Sequence, residues 1–172
     1  MCIHNYYFKE CNDGWTKFTI ANSEKCLKIF GYHELKNAVS QCQSKNAKLP
    51  IPMSEEENTD FFKAIDSFGL ENVALDGQWN GNKWITSDGI ELTYMKWGSN
   101  QPNYLEGENF ENFLETWDKE DQENTWNNQR SNHQVPVVCL KEISAAGKIF
   151  LYFSRHFCYL FFCFEIFSVV IF

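Results

Sequence analysis

No basic stripe, no paired C-x-x-C knuckle, no phosphate-binding glycine loop and no nucleophile motif occurs in this sequence, and each absence closes off a class of function. With a formal charge of -8 and no basic stripe, counterion release from a phosphate backbone has little to act on, so no nucleic-acid partner is expected. The acidity reads as a soluble surface. His4, His33, His133 and His156 form no pair at ligand spacing, and without a nucleophile or phosphate loop an enzyme is not expected. No N-x-S/T acceptor marks an exposed glycan, and no internal repeat or low-complexity tract is present.

Cysteine is plentiful by contrast. Seven residues, Cys2, Cys11, Cys26, Cys42, Cys139, Cys158 and Cys163, are many for a cytosolic chain, and their spacing does not suit zinc, so disulfides are the better reading. That implies an oxidising compartment and a secreted, extracellular protein. The first residues, MCIHNYY, have neither a basic start, nor an apolar run, nor a small-residue cleavage site, so a true N-terminus is expected to be missing.

Along the chain, CNDGWTKFTIANSEKC combines an Asp-Gly turn signal with alternation in WTKFTI and reads as a strand closed into a short hairpin. Leu35, Ala38, Val39 and Cys42 then recur at helical intervals in a segment that stops before Pro50, which turns Cys42 inward. Ser54 and Glu57 form a capping box ahead of Phe61, Phe62 and Ile65, opening a second helix that ends near Gly69. From Asn72 to Trp97, short apolar runs broken by DG, NGN and SDG turns predict hairpins, with Trp79, Trp84, Tyr94 and Trp97 as buried positions. Residues 98 to 132 are polar and too long for an ordinary connection, which marks a binding or unstructured loop. The strand-like VPVVCLKEI brings in Cys139.

Taken in order, Ala38-x-x-x-Cys42-x-x-x-x-Ala47-x-Leu49, W-x-x-x-D-G at Trp84 to Gly89, Tyr94 and Trp97, Gln101-Pro102-Asn103 with Trp126-Asn127-Asn128, and V-V-C-L-K-E ending at Glu142 resemble the C-type lectin family over about Cys11 to Glu142. Each motif alone is weak, and five in order are not. The resemblance implies an α+β domain, two helices packed on small antiparallel sheets with a long loop region. It also implies bridges from Cys42 to Cys139 and from Cys11 to Cys26. On the chain-entropy model these contribute on the order of 4.7 and 3 kcal/mol for loops of ~100 and ~15 residues. The family's second loop bridge is missing, because its positions hold Phe113 and Ser131, and Phe113 is expected to fill the vacated space.

Carried over position by position, the resemblance places calcium and sugar at Gln101, Pro102, Asn103, Glu111, Asn127 and Asn128, with a cis bond at Pro102 turning its neighbours to one side. Glu108 is a rival for Glu111, since both open an E-N-F phrase. Calcium wants six to eight oxygens and gains affinity with carboxylates, yet this set holds one, Glu111. Gln-Pro-Asn also takes the neutral member of the family's mannose-type and galactose-type motifs. Calcium binding is therefore expected to be weak, and no cofactor is certain. The expected function is non-enzymatic recognition of a glycan or protein ligand through the long loop, and the alternative is a calcium-dependent lectin at the same residues. Trp117 and Trp126, which border that loop, are expected to be buried.

The chain is divided into an N-terminal remnant over 1–10, the lectin-like domain over 11–143 and a hydrophobic tail over 144–172. Phe157 to Phe172 falls short of the ~20 apolar residues of a spanning helix and contains Glu165. Membrane association follows only if the tail is genuine, and its composition also suits translated non-coding sequence beginning near Gly147-Lys148.

Overall fold

The computed structural model describes residues 3–103, 106–107, 110–119, 122–143 and 145–152. Their elements are β1 (Ile3–Lys9), β2 (Thr16–Ile20), β3 (Ser23–Glu34), α1 (Leu35–Gln43), α2 (Glu55–Ser67), β4 (Ala74–Trp79), β5 (Trp84–Ile85), β6 (Phe113–Lys119), β7 (Gln122–Gln129), β8 (Gln134–Glu142) and β9 (Ala145–Tyr152). The two principal sheets run β2-β3-β8 and β5-β4-β6-β7, all antiparallel, and together with the two helices they form the α+β fold that the resemblance implies. The backbones of β1 and β9 also pair, from Ile3 opposite Tyr152 to Lys9 opposite Ala145. Cys2, Cys158, Cys163, Glu108 and the run from 157 to 172 lie outside the described residues, among which no helix is long and apolar enough to cross a membrane.

The first hairpin forms, but its reversal is not at Asp13-Gly14. Ile20 pairs with Ser23, so Ala21 and Asn22 make the two-residue turn, both with positive φ. Such a turn matches the strand twist, and contacts with α2 hold the unfavourable alanine there. Ala21 N–H donates to Asp60 Oδ2 at 3.1 Å and Asn22 Nδ2 to Glu56 Oε1 at 3.0 Å. Asp13-Gly14 instead makes a separate turn before β2, where Trp15 N–H donates to the Asn12 carbonyl.

Helix ends show how local and tertiary forces divide the work. At α2, Ser54 accepts from Glu57 N–H as the capping box predicts, while the Glu57 carboxylate takes the Met53 amide. Its far end is a Schellman closure: Leu70 N–H reaches the Ile65 carbonyl and Gly69 N–H that of Asp66, with Gly69 at φ +71. Nothing in the sequence caps α1. Its first amides, on Leu35 and Lys36, are satisfied by the carbonyls of His133 and Ser131 from a distant loop.

Two apolar clusters make the core. One joins Phe61, Phe62 and Ile65 of α2 to Leu27, Leu114 and Val138 of the sheets, with Trp84 and Trp126. The other gathers Leu35, Ala38 and Cys42 of α1, then Ala47, Leu49, Val135 and Val137, around the Cys42–Cys139 bridge, with Phe113 packed against it. The Cys11–Cys26 bridge ties the chain ahead of β2 to β3. Both pairings are those implied by the resemblance, and Phe113 is half-buried as expected. Trp79, Tyr94, Trp97 and Trp117 are partly buried, whereas Trp126 is wholly so.

The polar stretch 98–132 is not one long loop. Its second half is the β6–β7 hairpin, because Leu114 and Trp126 enter the core and pull an Asn- and Glu-rich segment into the sheet against its weak intrinsic preference. Gly77 permits that packing: a Cβ there would lie 2.2 Å from Leu114 Cδ1.

Candidate functional site

In the remainder of that stretch, the segment that begins at Gly98 is tied to β7. Gly98 N–H donates to the Trp126 carbonyl, Trp126 N–H to that of Lys96, and Gln101 N–H closes a turn on Gly98. Trp126 is itself fixed, its indole N–H donating to Asn58 Oδ1 at 2.8 Å inside the core. The Gln101–Pro102 bond is cis, as the motif predicts.

Asn128 organises the two arms of this loop. Its side chain is fully buried. Oδ1 accepts the Asn103 amide at 2.9 Å, while Nδ2 donates to the carbonyls of Asn103 and Glu111. One amide group thus clips both arms to β7, bringing Gln101, Pro102, Asn103, Glu111 and Asn128 together. Asn127 is the next residue back along the strand, and neighbouring strand residues point to opposite faces. Its Nδ2 donates instead to Glu115 Oε1 at 3.0 Å, directly across the β6–β7 ladder.

Glu111 is 8% exposed. Burial pushes its carboxyl above the usual range, and the positive charge of Arg130 and then of His133 opposes the shift. The Arg130 Nε lies 3.9 Å from Glu111 Oε1, and His133 Nε2 lies 3.3 Å from Glu115 Oε2. Nothing in the sequence singles out Glu115, Arg130 or His133. Glu115 is one acidic residue among several in a polar run, and only the register that sets it opposite Asn127 distinguishes it.

The oxygen inventory limits the chemistry. The buried amide oxygens of Gln101, Asn103 and Asn127 have no hydrogen-bond partner among the described residues, whereas Asn128 spends both amide atoms on the protein. Glu111 is the one carboxylate of the six aligned positions. Among the described residues no group of three or more His, Cys, Asp or Glu is arranged to hold a metal ion.

No family model matches the chain. A snaclec from Echis carinatus, one subunit of a coagulation factor IX/factor X-binding protein, is 32% identical over 106 residues, spanning 54% of this chain and 77% of that protein. The mouse scavenger receptor C-type lectin carbohydrate-recognition domain superposes with a TM-score of 0.65 at 21% identity, over 80% of this chain and 100% of that one. The C-type lectin CEL-I of Cucumaria echinata superposes at 0.60 and 22% identity, over 76% and 96%. Such relatives are binding proteins, and this chain is a recognition module rather than an enzyme. With a relative of that identity matched over most of its length, and with the fold agreeing, the chain belongs to the C-type-lectin-like family.

Proposed function

We propose that this domain recognises an extracellular glycan or protein through the face built by Gln101, Pro102, Asn103 and Glu111, with Asn128 behind it and Asn127 turned to Glu115 beside it, and that recognition does not require calcium. The two disulfides support the extracellular setting. The observation that carries the calcium reading is the commitment of Asn128. Its carboxamide already makes the three bonds that shape the loop, so the loop is ordered by a side chain where a cation would otherwise order it. One carboxylate with neutral amides fits a divalent ion poorly, since affinity rises with ligand charge.

The test is capture on a glycan and protein array by the oxidised chain, first with millimolar calcium and then with chelator. Capture that survives chelator is expected. Capture abolished by chelator, with calorimetric heat on calcium addition that Glu111→Ala removes, would establish the alternative, a calcium-dependent lectin. That second reading draws its support from the unpartnered oxygens of Gln101 and Asn103.

A further inference from the structure

A separate concavity of about 240 Å³ lies beside β3, lined by Tyr32, Glu71, Asn72, His133, Gln134 and Pro136 among others. Tyr32 is 69% exposed. A lone exposed aromatic needs no explanation, but this one is set by the backbone. The β3–β8 register shifts between Ile29 and Tyr32, where Gly31 sits at φ +82, and such bulges re-aim side chains. Tyr32 then pairs with Pro136 at the pocket wall.

The rest of the rim is held in place. The His133 carbonyl receives the Leu35 amide at the start of α1, and His133 Nε2 faces Glu115. With its amide turned to bond, Asn72 donates to the carbonyls of Glu71 and Thr116 at 3.2 Å each. A rim fixed before binding spares a ligand the cost of ordering it.

We infer that this pocket is a second, calcium-independent subsite for a single pyranose ring, distinct from the loop face. The lining decides the class. Among the described residues it contains no lysine or arginine to attract a phosphate or carboxylate, and too little apolar surface for a lipid. It offers instead one exposed aromatic face, suited to the C–H side of a sugar ring, beside a carboxylate, two carboxamides and an imidazole. Glu71 and the carboxamide oxygens can accept, and the Gln134 amide and the Tyr32 hydroxyl can donate, as sugar hydroxyls require.

The test is a heteronuclear NMR titration of the full oxidised chain in chelator with the methyl pyranosides of glucose, mannose, galactose and N-acetylglucosamine. At least one is expected to shift the backbone amides of Tyr32, Asn72, His133 and Gln134 saturably. Because Tyr32 is exposed, its replacement leaves the fold intact. Tyr32→Ala should weaken binding about tenfold, and Tyr32→Phe should stay within about twofold, the difference being loss of the aromatic face. Asn103→Ala should leave the titration unchanged, which separates this pocket from the loop face. The inference is overturned if no pyranoside moves these amides, if Tyr32→Ala binds as the wild type does, or if Asn103→Ala abolishes the shifts. The loop reading fails independently if chelator-resistant array capture is unaffected by Asn103→Ala.

Discussion

Replacing Asn128 with alanine tests whether a side chain, and not a cation, orders the loop. The residue is wholly buried, and three hydrogen bonds depend on it. Alanine strands the Asn103 amide and deprives the carbonyls of Asn103 and Glu111 of a donor. An unmet buried donor or acceptor costs about 1–3 kcal/mol. Taking the amide over that whole range and each of the two carbonyls at its low end gives a loss of about 3–5 kcal/mol. That is a large share of the ~5–15 kcal/mol that stabilises an ordinary domain. Guanidinium unfolding in chelator, followed by tryptophan fluorescence, measures the loss, and hydrogen exchange at the Asn103 amide should accelerate in parallel. Asn128→Asp keeps the acceptor for Asn103 but sets a negative oxygen against two carbonyls, so in chelator it should be destabilised as well. If Asn128→Ala unfolds within about 0.5 kcal/mol of the wild type, the clip is not what holds the loop and the calcium-independent reading loses its footing.

Serine at both Cys42 and Cys139 opens a bridge of sequence separation 97 and should cost about 4 kcal/mol, visible as a lowered denaturation midpoint on which reductant then acts only through the remaining Cys11–Cys26 bridge. Gly77→Ala should cost about 1–3 kcal/mol by overpacking, since its Cβ would collide with Leu114, and Leu114→Ala in the same chain should relieve part of that clash. Glu111 gives a pH dependence. Its carboxyl is raised in the folded state, so its contribution is most favourable below the ordinary glutamate pKa and is lost as pH rises through the folded value. Glu111→Gln should therefore be more stable than the wild type near neutral pH and should lose that advantage in acid, as measured by urea unfolding across the pH range.

Much of this was legible because the information is local. Ser54 and Glu57 mark the start of α2, Gly69 supplies the positive φ that ends it, and the spacing of Ala38 and Cys42 turns a half-cystine inward. The ordered motifs from Ala38 to Glu142 identify the framework and its bridges, and Gln101-Pro102-Asn103 locates the loop face. Long-range features were not legible in the same way. The start of α1 is capped by carbonyls of Ser131 and His133, nearly a hundred residues away, so no N-terminal signature exists to read. The β6–β7 hairpin lies in sequence that local preference marks as loop, and only burial of Leu114 and Trp126 makes it a strand pair.

Residue types and order therefore determined the family, the oxidising chemistry and the charge-poor character of the aligned ligand positions. Tertiary structure alone decided what those side chains do. Whether an asparagine offers its oxygen to a ligand or closes a loop depends on which backbone groups lie within about 3 Å of it, and that is set by strand register and sheet packing. Asn127 and Asn128 are adjacent and identical in the sequence. In the fold, one faces Glu115 across the ladder and the other holds the loop.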